Sequence, residues 1–590
     1  MRLAKTVLIA LGLASTGTSL GGPNEDFAAL LHEEWEWRLR SDPVFASKNG
    51  DRRYNDQWRD NSIQAIEQRA SDTREFLQRL YAMDRNALPE TLRLDFELFR
   101  RELQDRIDEH GFRDYLMPFD HDDGGVQNLE ETATQLRFTT VKDYDDWLER
   151  LAAVDEVIRK TIQLAERGRE TGYMSPRVLM ERLPGQIALQ LVDTPEASPY
   201  WRVFANIPES IPTRERERIR ASARETITRQ ILPAYRDLDR YFNTTYLPAA
   251  RETIGLSALP KGKEWYEYLA RQYTTTRMTP DDIHRIGLQE VARIRGEMDK
   301  VIEEVGFEGE FHDFLDFLRT DPRFYFTDPD DLYEAYLAAS KRIDPELIHL
   351  FGMLPRMPYG VQPIPDSIAP DTTTAYYTRP AADGSRAGIY WVNLYRPEVR
   401  PKYEIEVLTV HEAVPGHHLQ LALQQEMGDM PEFRRYEGFT AFVEGWGLYS
   451  EGLGYDLGLY TDPYSRFGQL TYEMWRAVRL VVDTGMHYKG WTREQAIDFF
   501  RDNAAKTELD IVNEIDRYID LPGQALAYKI GQMKMLSLRN DAKLALGKDF
   551  DIRAFHDALL GAGALPLDLL ELRMNAWLER QRAAKNAATP

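Results

Sequence analysis

The segment Thr409–Gln420, TVHEAVPGHHLQ, constrains the fold of this chain more than any other stretch. It places Pro415 and Gly416 side by side in what would otherwise be a helix. Proline removes a backbone amide donor, and its ring crowds the carbonyl of the residue four positions earlier, which here is His411. Glycine then permits backbone angles that other residues avoid. The sequence therefore predicts a bulge or break inside this segment.

The same segment collects residue types that hold a divalent metal ion. Three of the eleven histidines and one glutamate fall within eight positions. On a regular helix His411 and His417 would point about 240° apart, whereas His411 and His418 would share a face but lie about 10 Å apart. Neither pair suits metal–nitrogen bonds of about 2 Å, but a break at Pro415 would bring His417 beside His411. The second ligand stays open between His417 and His418, with His417 favoured, and a histidine-rich helix end without metal is the alternative.

Glu444 is the candidate third ligand. It lies in the apolar, aromatic segment GFTAFVEGWGLYSE, where an unpaired carboxylate would be costly to bury. Two antiparallel helices joined by a turn near 428–431 would place Glu444 opposite the histidines. Two histidines and one glutamate leave a fourth position for water, as in hydrolytic zinc sites, so Zn²⁺ is the expected cofactor. Glu451, two turns later, is expected to support a ligand histidine or to replace Glu444 as ligand.

Composition restricts the partners and the chemistry. With 74 basic and 96 acidic residues the formal net charge is −22, which argues against nucleic acid as a partner, because phosphate binding needs clustered Lys and Arg. Cysteine is absent, which excludes disulfides, a thiolate nucleophile and a lipid-modified cysteine. Any metal must be held by histidine and carboxylate. The expected partner is a peptide or small-molecule substrate.

The N-terminus has the parts of a secretory signal peptide. Arg2 and Lys5 precede the short apolar run TVLIALGLA, and small residues follow it. The run is too short for a confident membrane span. We expect residues 1–21 to be a signal peptide and the protein to be exported, periplasmic or secreted, without stable membrane insertion. An uncleaved N-terminal anchor is the alternative.

Helical periodicity predicts a mainly α-helical protein. Apolar residues recur at three- and four-residue intervals over 62–83, 89–112 and 143–172, and Thr279 and Thr492 begin further helices as caps. Between 353 and 401 proline is frequent, and Ala375–Thr378 and Gly388–Leu394 have the composition of two hairpin strands. We expect a large bundle-like helical body with a small β-hairpin or sheet beside the metal-site helices. The expected regions are an N-terminal helical one, 22–255, and a catalytic one with the metal site, 256–590.

Four motifs in one order carry a family resemblance. HEAVPGHHLQ is followed by FVEGWGLYSEGLG, RLVVDTGMH and RYIDLPGQALAYKIG. Together they resemble the bacterial domain-of-unknown-function family 885, whose members are usually taken as zinc metallopeptidases. The layout is also similar, more distantly, to helical zinc peptidases of the gluzincin type. That similarity implies His411, Glu444 and either His417 or His418 as metal ligands, with Glu412 as general base.

The resemblance also suggests residues that complete the site. Helical zinc peptidases use Tyr or His to stabilise an oxyanion, and some use Lys and Gln to bind a substrate carboxylate. In this chain the oxyanion candidates are Tyr528 and His487, which ends a long helix. Further substrate-binding candidates come from the last motif and from the end of the second strand: Arg517, Gln524, Lys529 and Asn393.

The expected function is therefore zinc-dependent hydrolysis of short peptides, with Glu412 as the base that activates water. By analogy, a deep channel between helical lobes would favour cleavage near the C-terminus. Two alternatives remain. One is a metal-dependent amidase or other hydrolase acting on a non-peptide substrate, and the other is a non-catalytic binding protein that keeps a peptidase scaffold.

Overall fold

A computed structural model of the 590-residue chain describes residues 22–120, 125–365, 369, 373–381, 384, 386–428, 430–436 and 438–588. The expected signal peptide, residues 1–21, lies outside the described residues. Helices dominate the architecture and a small sheet accompanies them, which confirms the fold class expected from the sequence. Within the part of the chain that the structure describes, no helix is long and apolar enough to cross a membrane.

The N-terminal region contains one long helical run, α10 to α12, in which two π-helical turns at Ile227–Ile231 and Phe242–Tyr246 join the three helices. The helices of this region are α1 (Pro23–Ser41), α2 (Pro43–Lys48), α3 (Ile63–Tyr81), α4 (Glu90–His110), α5 (Val141–Ala152), α6 (Val154–Thr171), α7 (Arg177–Met180), α8 (Leu183–Ala188), α9 (Arg202–Ala205), α10 (Thr213–Thr226), α11 (Leu232–Tyr241) and α12 (Leu247–Ala249).

The helices of the C-terminal region include those that carry the candidate ligands. They are α13 (Gly262–Thr274), α14 (Pro280–Glu304), α15 (Phe311–Thr320), α16 (Pro329–Ile343), α17 (Ile405–Glu412), α18 (His417–Gln425), α19 (Glu432–Tyr436), α20 (Thr440–Leu453), α21 (Pro463–His487), α22 (Arg493–Asn503), α23 (Glu508–Asp520), α24 (Leu526–Leu546), α25 (Ile552–Leu560) and α26 (Leu567–Ala588).

Helix starts in this region follow the capping signals of the sequence. Thr279 accepts a hydrogen bond from Asp282 N at the start of α14, and Thr492 accepts one from Gln495 N at the start of α22. In both cases the side chain of the third helical residue reaches back to the cap, which satisfies two amides that have no partner inside the helix. Both predicted caps are confirmed.

A three-stranded sheet packs against the helix that carries His411. The predicted hairpin is present as β2 (Ala375–Thr378) paired antiparallel with β3 (Gly388–Val392). An additional strand, β1 (Tyr359–Pro363), pairs parallel with β3 and gives the order β1-β3-β2. The buried Tyr390 hydroxyl of β3 lies 3.4 Å from Thr409 Oγ1 on α17, so the middle strand fixes the position of this helix.

Two hydrophobic cores hold these elements together. One packs around α17, α20 and α24, and the other packs around α11, α14 and α21. Each core contains residues from both the 22–255 and the 256–590 regions. Trp446 of α20 is completely buried, and its indole nitrogen donates to the carbonyl of Pro415 at 2.8 Å. This bond joins α20 to the chain between α17 and α18.

Candidate metal centre

The chain breaks its helix between His411 and His417. Helix α17 ends at Glu412, residues 413–416 form turns, and α18 begins at His417. The Gly416 amide donates to the Val410 carbonyl at 2.9 Å, and the His418 amide donates to the Ala413 carbonyl at 3.0 Å. These bonds close the break with backbone groups, as buried amides require.

Gly416 is needed where the chain folds back on α17. A Cβ atom at this position would lie 1.9 Å from the carbonyl oxygen of His411 and 2.4 Å from that of Val410. No side chain fits such an approach, so the residue after Pro415 must be glycine in this geometry. Because the backbone approaches α17 so closely here, His417, the first residue of α18, lies beside His411.

The break brings three candidate ligands together. Ligand atoms of His411, His417 and Glu444 all lie within 4.8 Å of one another. Glu444 Oε2 is 3.7 Å from His411 Nε2 and 3.5 Å from His417 Nε2, and the two imidazole rings cross at 88°. Tetrahedral coordination with bonds near 2.0 Å separates neighbouring ligand atoms by about 3.3 Å. The two distances to Glu444 are close to this spacing, and the widest separation in the cluster would shorten by up to about 1.5 Å when the three residues coordinate one ion.

The cluster is buried but can be reached by solvent. The His411 side chain is 3% exposed, whereas that of Glu444 is 20% exposed. Burial alone would lower the pKa of His411, but its contacts with Glu444 and Glu451 raise that pKa to about 9. Burial would raise the pKa of Glu444, but His417 and His411 hold it well below its usual range. The site therefore favours negative charge on Glu444 and positive charge on the His411 ring.

Glu451 supports His411 from behind. Its Oε1 atom lies 2.8 Å from His411 Nδ1, and the carboxylate is completely buried. Such a contact fixes the ring and leaves Nε2 for a metal ion, as is general for ligand histidines. Gly447 lies against the same ring, since a Cβ atom there would be 2.9 Å from His411 Nε2. Of the two roles expected for Glu451, this position corresponds to the supporting one.

His418 faces the sheet instead of the cluster. Its Nδ1 lies 2.8 Å from the Tyr377 hydroxyl, and its Nε2 lies 3.1 Å from the Met357 carbonyl. Burial lowers its pKa to about 4, which keeps the ring neutral. Of the two histidines that the sequence left open, the structure thus groups His417 with His411 and Glu444.

Glu412 follows directly after His411 and is half-buried. Burial raises the pKa of this carboxyl, while the nearby His417 and His411 oppose the shift. A carboxylate with a raised pKa beside a metal cluster has the properties of a general base. Its role as the base stays a prediction.

Tyr528, an oxyanion candidate, lies beside two buried arginines. The centre of its ring is 4.3 Å from the guanidinium carbon of Arg479 and 6.0 Å from that of Arg476. Arg476 Nη2 in turn lies 3.9 Å from Glu451 Oε1, so Tyr528 connects to the cluster through this arginine. The sequence analysis missed both arginines. A sequence signal for them was present, since Arg476 and Arg479 are two cations one turn apart in the otherwise apolar run MWRAVRLVV.

His487, the other oxyanion candidate, joins two motifs. Its Nδ1 accepts from the Leu256 amide at 3.1 Å, and its Nε2 lies 2.8 Å from the Tyr518 carbonyl. The ring is completely buried, and burial lowers its pKa to about 4. With both nitrogens bound to backbone groups, His487 is not brought to the cluster.

Among the substrate-binding candidates, Lys529 and Asn393 have partners inside the fold. Lys529 Nζ lies 2.7 Å from Glu473 Oε1 and 2.9 Å from Glu290 Oε2, which ties α24 to α21 and α14. Asn393 is completely buried and donates to the Ala369 carbonyl at 2.8 Å, which holds the loop before β2. Both side chains therefore have structural contacts.

Arg517 lies in the last turn of α23, Gln524 lies in the turn between α23 and α24, and both are half-buried. Asp483 of α21 binds this turn, because it accepts a hydrogen bond from the Gly523 amide at 3.1 Å. Two of the four sequence motifs therefore meet through Asp483 and His487. Substrate contacts by Arg517 and Gln524 stay predictions.

Comparison with known proteins agrees with the motifs. Residues 43–574 match the family model described as a bacterial protein of unknown function, DUF885. No curated protein matches the chain.

Two solved structures are similar to this fold. The "putative lipoprotein from Colwellia psychrerythraea" is 28% identical with a TM-score of 0.89, and the match covers 95% of this chain and 100% of that chain. The "putative lipoprotein of unknown function from Shewanella oneidensis" is 18% identical with a TM-score of 0.72, covering 93% and 99%, and is alike in fold alone. Since the family model spans most of the sequence, this chain belongs to the bacterial family DUF885.

Proposed function

We propose that this protein is a zinc-dependent peptidase that hydrolyses short peptides. The observation that carries the proposal is the convergence of His411, His417 and Glu444 around one point, with Glu412 adjacent and Glu451 behind the first ring. Two histidines and one carboxylate are the ligand set of several hydrolytic zinc sites, and they leave one position open.

The donor atoms fit a zinc ion in chemistry as well as in spacing. His417 Nδ1 is buried with no hydrogen-bond partner among the described residues, and its Nε2 faces Glu444. Glu451, Glu444 and Glu412 concentrate negative charge that a dication would balance. When bound, zinc supplies a Lewis acid and lowers the pKa of water in the open position.

Glu412 performs the proton transfers in this proposal. Its carboxylate accepts a proton from the water as the new C–O bond forms at the scissile carbonyl, and it then gives this proton to the leaving amine as the peptide C–N bond breaks. The raised pKa of Glu412 suits the first step, because a stronger base takes a proton from water more readily. The 20% exposure of Glu444 supports access of substrate to this side of the cluster.

We further propose that the protein acts outside the cytoplasm, in the periplasm or after secretion. The basic and apolar N-terminal segment supports export. The Colwellia relative is described as a lipoprotein, which is also an exported class. This chain contains no cysteine that could carry a lipid.

Metal analysis of purified protein tests the ligand set. We expect about one zinc per chain in the wild type and in His418→Ala, because that ring faces the sheet. We expect a loss of most zinc in His411→Ala, His417→Ala and Glu444→Ala. The His418→Ala protein is a matched control, since it removes the same residue type one position away. Retention of zinc in all three ligand variants would overturn the proposal.

Activity is tested with zinc-loaded protein on a mixture of short peptides, with products identified by mass spectrometry. Glu412→Gln should keep its zinc and lose about 10²- to 10⁴-fold in rate, the usual contribution of a general base. Cleavage of non-peptide amides alone would instead indicate an amidase. A Glu412→Gln protein as active as the wild type would contradict the assigned base.

A further inference from the structure

Two buried arginines lie next to the candidate metal centre without a full set of partners. Arg476 and Arg479 are one turn apart on α21 and are 5% and 3% exposed. Taking a guanidinium out of water costs several kcal/mol unless its N–H groups find acceptors. If every N–H group of these two arginines had an acceptor inside the protein, a purely structural role would be sufficient to explain them.

Arg479 uses two of its three nitrogens inside the protein. Its Nε donates to the Tyr518 hydroxyl at 2.7 Å, and its Nη2 donates to Glu514 Oε2 at 3.0 Å. Its Nη1 is buried and has no hydrogen-bond partner among the described residues. The Tyr528 ring packs on the guanidinium at 4.3 Å. Arg479 is thus held rigidly while one donor nitrogen is left over.

Arg476 is also incompletely paired, and it connects Arg479 to the cluster. Its Nε is buried and has no partner among the described residues, while its Nη2 lies 3.9 Å from Glu451. Both guanidinium carbons lie near the Trp475 ring, at 4.6 and 4.8 Å, so they are within about 10 Å of each other. Arg476 therefore lies on the side of α21 that faces Glu451, and Arg479 lies one turn further along the same helix.

Charge at this place favours a monoanion. Arg517, on α23, lies close enough to Arg479 for the two cations to repel, and both act on Glu514. With Arg476 and Glu451 included, three guanidinium groups against two carboxylates leave a surplus of one positive charge. A carboxylate carries one negative charge and accepts hydrogen bonds from arginine in the plane of the guanidinium.

We propose that Arg479, assisted by Arg517 and flanked by Tyr528, binds a carboxylate of the substrate. The proposal rests on the proposed peptidase function and specifies its substrate class, which is short peptides with a free carboxylate near the scissile bond. Carboxylate binding is thus assigned to Arg479 and not to Lys529, because the Lys529 ammonium group already binds Glu473 and Glu290.

The test compares two peptides of identical sequence that end in a free acid or in an amide. For the zinc-loaded wild type we expect kcat/KM to be about 10- to 100-fold higher for the acid, the effect of a charged hydrogen bond. Arg479→Gln should remove most of this difference. A third peptide, an amide with a glutamate side chain next to the scissile bond, shows whether the carboxylate comes from the chain end or from a side chain.

Arg150→Gln is the matched control. Arg150 is also completely buried and has two nitrogens without partners among the described residues. It lies in α5, however, and its remaining nitrogen donates to the Ser47 hydroxyl and the Tyr54 carbonyl. This variant should keep the acid-to-amide ratio of the wild type. If Arg479→Gln does not fold, the half-buried Arg517→Gln, with the same two peptides, decides in its place.

The outcomes separate the two proposals. Equal cleavage of acid and amide by the wild type, or an unchanged ratio in both arginine variants, would overturn the carboxylate site and leave the peptidase standing. If no peptide is cleaved, the proposed peptidase function is refuted. The carboxylate site is then tested by itself, by calorimetric titration of zinc-loaded Glu412→Gln with the same peptides. In this titration, an affinity for the free-acid peptide no higher than that for the amide would refute the carboxylate site.

Discussion

Replacing Gly447 by alanine tests whether the position of the His411 ring decides metal binding. A Cβ atom at 447 would lie 2.8 Å from Cε1 and 2.9 Å from Nε2 of this ring. Ordinary contacts begin at 3.4 Å, so the ring would have to retreat by about 0.5 Å. It has little room to do so, because buried Glu451 holds its Nδ1 at 2.8 Å.

The size of this shift can be compared with what a metal site tolerates. Metal–ligand distances in proteins stay within about 0.2 Å of their standard values, so the displacement is more than twice the tolerance. We expect a loss of zinc affinity of about 10- to 100-fold, as for other changes that disturb a ligand histidine. Alanine is also a better helix former than glycine by about 1 kcal/mol, which offsets part of the overpacking and should keep the protein folded.

The assay is a competition between the purified protein and a chromophoric zinc chelator. Gly452→Ala is the matched control, since it lies in the same helix and its Cβ atom would have no neighbour within 4 Å. We expect this control to bind zinc like the wild type and to be stabilised by up to about 1 kcal/mol. Zinc affinities of the two variants within threefold of each other would refute the proposed role of the His411 ring.

Three further predictions follow from buried polar groups. Glu451→Gln weakens the acceptor behind the first ligand, so zinc affinity in the same titration should fall about 10- to 100-fold, and an unchanged affinity would contradict this role. Lys529→Met removes one of the two cations that Glu473 and Glu290 share and leaves Arg293 as the other, so urea unfolding should show a loss of about 1.5–3 kcal/mol, and an unchanged midpoint would exclude a structural role. Burial raises the pKa of Asp483 to about 7. Because this folded-state pKa lies above the unfolded value of 3.8, the stability that its proton contributes is complete below about pH 4 and is lost as the pH rises through 7. The stability of the wild type relative to Asp483→Asn should fall over this range by up to about 4 kcal/mol, and a flat difference would disprove the shift.

Local sequence rules predicted the helices and their starts, because those depend on neighbours a few residues apart. Apolar periodicity and the Thr279 and Thr492 caps are such local signals. Strand β1 was missed, since it pairs in parallel with a strand almost thirty positions later and is followed by a proline-rich stretch. The five residues of β1 contain no local signal that predicts this pairing.

The candidate site divides in the same way. Residue types and the break at Pro415 pointed to His411 and Glu444, but the choice between His417 and His418 depended on a turn closed by backbone bonds and on contact with a sheet. Polar residues in apolar helices look alike in sequence whether they bind a substrate or an internal partner. Lys529 illustrates this, since its nearest carboxylate is 56 positions away along the chain.

The backbone closure between α17 and α18 has a consequence for recognising related sites. Ala413 and Val414 contribute packing but no side-chain hydrogen bond to the turn, while Gly416 has no room for a substituent. A pattern scan for two histidines separated by three residues would therefore overlook this centre. A scan for His-Glu followed by any three residues, Gly and His would retrieve it, and the close approach of the backbone at Gly416 explains why the glycine belongs in that pattern.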